Sequence, residues 1–357
     1  MSLRPFLFLF ASFLLVSHIL YPTLAITKQE SVEKFLETVR INDKGFANVP
    51  GGEVTISHTS MALQISNYLG FEVNNTLDIL LFFQESQNED GGFGSKPFTN
   101  SSWDETYHAI KGLALLDLNS SKLAEWNIYN YVNTTATAVL YEEKINGNET
   151  ALVPRELTVG LIWKWIQFIE MTIGIGVVPA LPFQSLTQWL TDMQFNNGSY
   201  IDLKTAIFSN ILLSMLGRSP RDLELASKYI RAHQTSNGAF AWDENGSATL
   251  NATYYAILAL DNMGQIGKLE YKESIVNFII NLQKPRSGFG EVGKEANVED
   301  TLKAIEILRI LDKISELIAP EVLLTEGFVS FQISPLFLAM GFLVMFKFHR
   351  KFPKNSK

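Results

Sequence analysis

Two Trp-Asp-Glu triplets, Trp103-Asp104-Glu105 and Trp242-Asp243-Glu244, carry the residue types most able to do chemistry, with a further acid pair at Glu299-Asp300. Indole faces stack on sugar rings, and two carboxylates facing each other across a cleft are the machinery of glycoside hydrolysis. The same acids have a structural use: in the first turn of a helix they cap backbone amides and complement the dipole. Trp103, Asp104, Tyr107, His108, Trp242, Asp243, Tyr254, Tyr255 and Asp300 are therefore candidate contact residues at a rim or cavity, and none is assigned a catalytic role. Tyr254 and Tyr255 also suit ordinary packing on a buried helix. His58, His108 and His233 could in principle converge on a metal. They are isolated from one another, and isolated histidines on helices are usually solvated or hydrogen-bonded, so no metal and no cofactor is expected.

What must position these residues is an internal repeat. The segment "LLFFQESQNEDGGFGSKPFTNSSWDETYHAIKGLALLDL" recurs as "YIRAHQTSNGAFAWDENGSATLNATYYAILALDNMG" and as "FIINLQKPRSGFGEVGKEANVEDTLKAIEILRILDKI", with a shorter and an early copy besides. The shared skeleton is an apolar helix ending near a glutamine (Gln84, Gln194, Gln234, Gln283). A glycine-aromatic loop follows: Gly45-Phe46, Gly92-Phe93, Gly198 with Tyr200, Gly238 with Phe240, Gly288-Phe289. A second apolar helix then carries a small residue at one depth: Ala62, Ala109, Ser209, Ala256, Ala304. Apolar spacing of three and four residues in "SIVNFIINL" and "TLKAIEILRIL" indicates helix rather than strand. Gly92 and Gly198 lie 106 residues apart, against 40 to 50 for the other neighbours, leaving room for a third unit whose loop has decayed. Six helix-turn-helix units result, and a fixed period of this length signals a repeat architecture.

The ends of the chain point to an address. Residues 1–25 combine Arg4, an apolar run from Phe6 to Val16, and small Thr23 and Ala25, the pattern of a secretory signal peptide. Phe328 to Phe346 is an uncharged run of 19 residues, roughly 29 Å as a helix, which is the thickness of a hydrocarbon core. Lys347, Arg350, Lys351, Lys354 and Lys357 follow it with no acid, which places the C-terminus in the cytoplasm. The expected organisation is a signal peptide over 1–25, an ectodomain over 26–322, one transmembrane helix over 327–347 and a short basic tail over 348–357. The folded part then lies outside the cytoplasm, at the cell surface or in a secretory lumen, with one helix as its membrane contact.

Eight Asn-x-Ser/Thr sequons, at Asn74, Asn100, Asn119, Asn133, Asn148, Asn197, Asn245 and Asn251, agree with a glycosylated exterior. Asn100, Asn197, Asn245 and Asn251 fall at or just after the glycine-aromatic loops, so their glycans would crowd one rim. There is no cysteine, so stability must come from a large core rather than disulfides. Of 29 Lys+Arg, Arg4 and five tail residues lie outside the apolar ends, whereas all 37 acids lie between them, leaving −14 there. That field disfavours nucleic acid and selects no other partner.

The skeleton of helix, Gln, "DGGFG" and "D-x-T-Y-x-A" resembles the repeat of protein prenyltransferase β subunits and squalene/terpene cyclases, over nearly the whole ectodomain. The resemblance implies an all-α fold, an α/α toroid of about six helix-hairpin repeats around a central cavity. In the prenyltransferases it implies zinc held by Asp-x-Cys and a later His. Here Asp104 takes the acid's place and Thr106 the cysteine's, and the thiolate is missing. The Asp-x-Asp-Asp motif of the alkene-protonating cyclases does not occur. The reading is a membrane-anchored, extracytoplasmic toroid that binds a protein, glycan or lipid without catalysis. The alternative is an enzyme of the same toroid class, acting on isoprenoid lipids or glycans through rim carboxylates.

Overall fold

The computed structural model describes residues 26–42, 44–116, 125–146, 149–154, 157–177 and 183–318. The expected signal peptide, transmembrane helix and basic tail lie outside these residues, as do Asn119 and Asn148. Among the described residues, no helix is long and apolar enough to cross a membrane.

Among the described residues, twelve α-helices alternate between an outer and an inner layer. The outer ones are α1 (Lys28–Val39), α3 (Thr76–Glu85), α5 (Ile128–Leu140), α7 (Phe183–Asp192), α9 (Leu223–Arg231) and α11 (Lys272–Asn281). The inner ones are α2 (Ile56–Leu69), α4 (Trp103–Leu115), α6 (Val159–Gly174), α8 (Leu203–Met215), α10 (Leu250–Asn262) and α12 (Val298–Ile310). Each inner helix packs on the next, and α12 packs back on α2, so the described units close into a ring.

Local chemistry explains where the inner helices begin and end. All six start at a side-chain cap: Thr55, Ser102, Thr158, Asp202, Thr249 and Asn297 each accept a hydrogen bond from an amide in the first turn. Four end at a glycine with positive φ, Gly70, Gly176, Gly217 and Gly264, and α12 ends at Asp312 in the same region. The small residues Ala62, Ala109, Ser209, Ala256 and Ala304 are all fully buried, which lets the inner helices approach closely. In the third unit Trp165 takes that depth, also fully buried, and packs against Tyr141 and Phe168.

The glycine-aromatic loops are joints. Phe46, Phe93, Phe240 and Phe289 each donate their amide to a threonine hydroxyl one turn into the next inner helix: Thr59 at 3.0 Å, Thr106 at 2.9 Å, Thr253 at 3.0 Å and Thr301 at 2.9 Å. The glutamine of the repeat in the second unit is Gln87, not Gln84. Gln84 is exposed, whereas Gln87 pairs with Phe93 as Gln234 does with Phe240 and Gln283 with Phe289. These glutamines reach forward to the next unit: Gln87 to the Trp126 carbonyl, Gln194 to the Asp222 carbonyl at 2.9 Å, and Gln283 to the Lys28 carbonyl at 2.8 Å. The last of these joins the sixth unit to the first.

A second hand-off runs along the inner helices. The first amide of α2 donates to Ser95 in the next loop at 2.8 Å, that of α10 to Glu291 at 2.8 Å, and that of α12 to the Asn48 carbonyl at 2.9 Å. The seam between the last and first units thus uses the bonds found between consecutive ones.

Two small antiparallel sheets depart from the all-helical expectation. One is the pair β1 (Arg40–Ile41) and β2 (Gly45–Phe46). The other replaces the third unit's loop with a hairpin, β3 (Tyr141–Asn146) against β4 (Glu149–Pro154), pairing Tyr141 with Pro154 through to Asn146 with Glu149.

Candidate functional site

The inner helices present their N-terminal ends and the glycine-aromatic loops at one rim, here called the loop rim. The nine residues expected to share a site separate into two groups there. Trp103 is buried and stacks on Phe168, with ring centroids 6.4 Å apart, as packing between α4 and α6. Asp300 braces its own loop, accepting from the Asn297 side chain at 2.8 Å and the Glu291 amide at 3.2 Å. Asp243 is exposed in a turn closed by Gly246 donating to its carbonyl. These three are structural. Asp104, Tyr107, His108, Trp242, Tyr254 and Tyr255 face the centre of the ring.

On the α4 side, Asp104 pairs with Lys164 of α6 at 2.7 Å and accepts from Gln167 at 2.9 Å. Partial burial works against its charge, but those two hydrogen bonds outweigh it and hold the carboxyl below its ordinary range. Glu299 of α12 behaves alike: burial opposes its charge, and Lys303 at 2.6 Å overrides that. His58 and His108, from neighbouring helices, stand close enough to sense each other and Glu299. His58 Nδ1 lies 2.7 Å from the cap hydroxyl of Thr55, whereas His108 Nδ1 is enclosed without a partner. His233 takes no part. It follows the outer helix α9, packs on Tyr229, and places Nδ1 3.0 Å from the Tyr229 carbonyl, which requires a proton on that nitrogen. Three histidines therefore do not converge.

Burial, followed by the positive charge of Lys111, depresses His108 to about 4, and burial also lowers His58. A neutral histidine in the fold that would be charged when unfolded stabilises the protein above the unfolded value, about 6.5. That contribution falls as pH drops from 6.5 towards 4 and is flat below. Stability should thus decline through this window by about 3 kcal/mol. His108→Gln should remove most of that slope in urea titrations at stepped pH, and an unchanged slope would show that His108 is not its source.

Below the loop rim, the waist is phenolic. Tyr107 donates to Glu170 of α6 and accepts from Lys111 at 2.8 Å, while Lys111 and Glu170 pair at 3.3 Å. Burial raises Tyr107, and burial likewise raises Tyr254, which sits on α10 across the ring and senses Tyr107. Glu306 of α12 accepts from Tyr68 at 3.0 Å and also bonds Tyr254, while Arg309 lies over the Tyr68 ring. Opposite the histidines, Tyr255 packs edge to face with Trp163 and Phe208 at 5.8 and 5.1 Å, Trp163 is tilted against Phe208 at 5.6 Å, and Trp242 joins them at 6.2 Å from Tyr255. Lys111, Glu170, Glu306, Tyr68, Trp163 and Phe208 were missed by sequence reasoning. A signal existed: Lys111 and Glu306 fall at one offset from their caps, Ser102 and Asn297, and Tyr107 and Tyr254 share another.

Of the sequons, Asn74, Asn100, Asn133, Asn197 and Asn245 are exposed. Asn251 is half-buried in the first turn of α10, its amide oxygen enclosed, and the hydroxyl of its Thr253 is used by Phe240.

Comparison with known proteins agrees with this architecture. The family model of the prenyltransferase alpha-alpha toroid domain matches residues 7–139, 177–265 and 243–330. The chain belongs to that family. The internal span left unmatched, 140–176, contains the hairpin that replaces the third loop and all of α6. Among solved structures, Candida albicans protein geranylgeranyltransferase-I complexed with GGPP is similar at a TM-score of 0.57 and 13% identity, over 73% of this chain and 85% of that one. A type II terpene cyclase from Scytonema, in complex with its substrate geranylgeranyl dihydroxybenzoate, gives 0.48 and 14%, over 81% and 97%. A protein from Actinoplanes gives 0.47 and 13%, over 80% and 98%. At these identities the likeness is one of fold. No curated protein matches the chain significantly.

The resemblance implies zinc at Asp104 and Thr106, and the residues present do not fit it. Thr106 is fully buried, accepts from the Phe93 amide and donates to the Ser102 carbonyl at 2.8 Å. An alcohol so engaged is no substitute for a thiolate ligand. Asp104 is already matched by Lys164 and Gln167.

Proposed function

We propose that this chain is a non-catalytic binding toroid, displayed outside the cytoplasm by a single membrane helix. One observation carries the reading. Where the resembling prenyltransferases would place their activating thiolate, Thr106 holds a scaffold hydrogen bond that recurs at Thr59, Thr253 and Thr301. The remaining acids facing the ring are matched as well: Asp104 by Lys164, Glu299 by Lys303, Glu170 by Lys111, and Glu306 by two phenols. Groups held in this way orient a ligand more readily than they exchange protons with one. The apolar ends and the exposed sequons support the address.

Two measurements test this. Purified full-length protein, incubated with zinc and geranylgeranyl diphosphate, should show no turnover and no stoichiometric zinc; either one would overturn the non-catalytic reading. Glycopeptide mapping of protein from a secretory host should find sugars on Asn74, Asn100, Asn133, Asn197 and Asn245, with Asn251 bare. Unmodified asparagines throughout would overturn the address.

A further inference from the structure

The loop-rim mouth of the ring has two unlike sides. α6, α8 and α10 contribute packed aromatic rings, of which Trp163 and Tyr255 remain partly exposed. α12, α2 and α4 contribute polar groups, with Glu299 and Asp104 at the lip and His108 set deeper. The two sides meet on α6, where Trp163, packed on Tyr255 with centroids 5.8 Å apart, directly precedes Lys164, which pairs with Asp104 at 2.7 Å. Solvent reaches the lip: the Asp104 and Glu299 side chains keep 62% and 49% of their exposure. Tyr107 of α4 and Phe208 of α8 are both buried.

We propose that this mouth binds a neutral saccharide, an inference that rests on the reading of the toroid as a binding module. A pyranose has an apolar face of C–H groups and an edge of hydroxyls. The half-exposed rings of Trp163 and Tyr255 suit the face, as amphipathic aromatics do where one side is apolar and the other wet. Asp104 and Glu299 suit the edge, because an ionised carboxylate accepts at both oxygens and each spends only part of that capacity on its lysine. Since each acid carries its own cation, the polar side offers hydrogen bonds without net charge. A charged ligand gains little there, and a plain hydrocarbon would desolvate four ionised groups without replacing their water.

The test uses full-length protein in lipid nanodiscs with maltohexaose, cellohexaose and chitohexaose as probes. Binding is read by tryptophan fluorescence and saturation-transfer NMR. At least one probe should bind saturably at millimolar concentration or below. Trp163→Ala, and separately Glu299→Gln, should weaken binding about tenfold, the scale of one lost stacking or hydrogen-bonding contact. Phe98→Ala, a fully exposed rim residue outside the mouth, should leave it unchanged. Glu299→Gln keeps the size and exposure of its side chain, so it remains informative if Trp163→Ala does not fold. No saturable binding across the panel, or binding insensitive to both variants, overturns the saccharide assignment while leaving a binding toroid standing. Cleavage of a bound probe would keep the ligand class and overturn the non-catalytic reading.

Discussion

Truncating Phe240 to alanine is expected to destabilise the ring by about 3–5 kcal/mol, the usual cost of deleting a buried aromatic side chain. The ring is fully buried, and it lies in a loop held at three points. Its amide donates to Thr253, its carbonyl accepts from Thr249 at 3.1 Å, and Gln234 pairs alongside. Those bonds prevent the loop from collapsing into the space left behind, which puts the cost at the upper end for such a change. Urea unfolding should show a lower midpoint at unchanged slope. A loss below about 1 kcal/mol would mean that the aromatic is a passenger and that the backbone bonds alone hold the joint.

Gly91→Ala should be nearly as damaging, for a backbone reason. Gly91 has φ of +85°, and a Cβ there would stand 2.3 Å from the carbonyl oxygen of Asn127, the residue that begins the next outer helix. Strain in the left-handed region adds to a clash with main chain that cannot rotate away, together about 3 kcal/mol. Gly70→Ala is the control. Its φ is +72°, but nothing lies within 4 Å of the added carbon, so only the conformational part applies, about 1 kcal/mol. Equal losses at the two sites would show that the close approach between units contributes nothing.

The repeat was legible because each unit uses the same residue types for the same bonds. The Gln, Gly-aromatic and small-residue positions recur at fixed offsets that indicate paired helices, and the family resemblance they carry implies the ring. Gln84 was misplaced because two glutamines stand near the end of α3, and only the pairing with Phe93 identifies Gln87. The third unit reads as a decayed loop because its Gly-aromatic signal is gone. A hairpin of six residues a strand stands there, against two residues a strand in β1–β2 of the first unit, so the third loop has no segment of like length to align with among the other described units. The site was half legible. Asp104 and His108 do face the centre, but Trp103 and Asp300 point into packing and capping. Facing direction depends on how each helix is rotated in the ring, which a residue list does not contain. Lys111, Glu170 and Glu306 escaped notice because their partners come from separate helices, joined only after closure.

Closure itself is best tested by amide hydrogen exchange at the seam. The first amide of α12, on Val298, donates to the Asn48 carbonyl across the join between the last and first units, as Ile56 donates to Ser95 between the first and second. A closed ring predicts that Val298 exchanges as slowly as Ile56, both opening only with the ring as a whole. Fast exchange at Val298 beside slow exchange at Ile56 would contradict it, leaving an open stack of helices with no shared mouth.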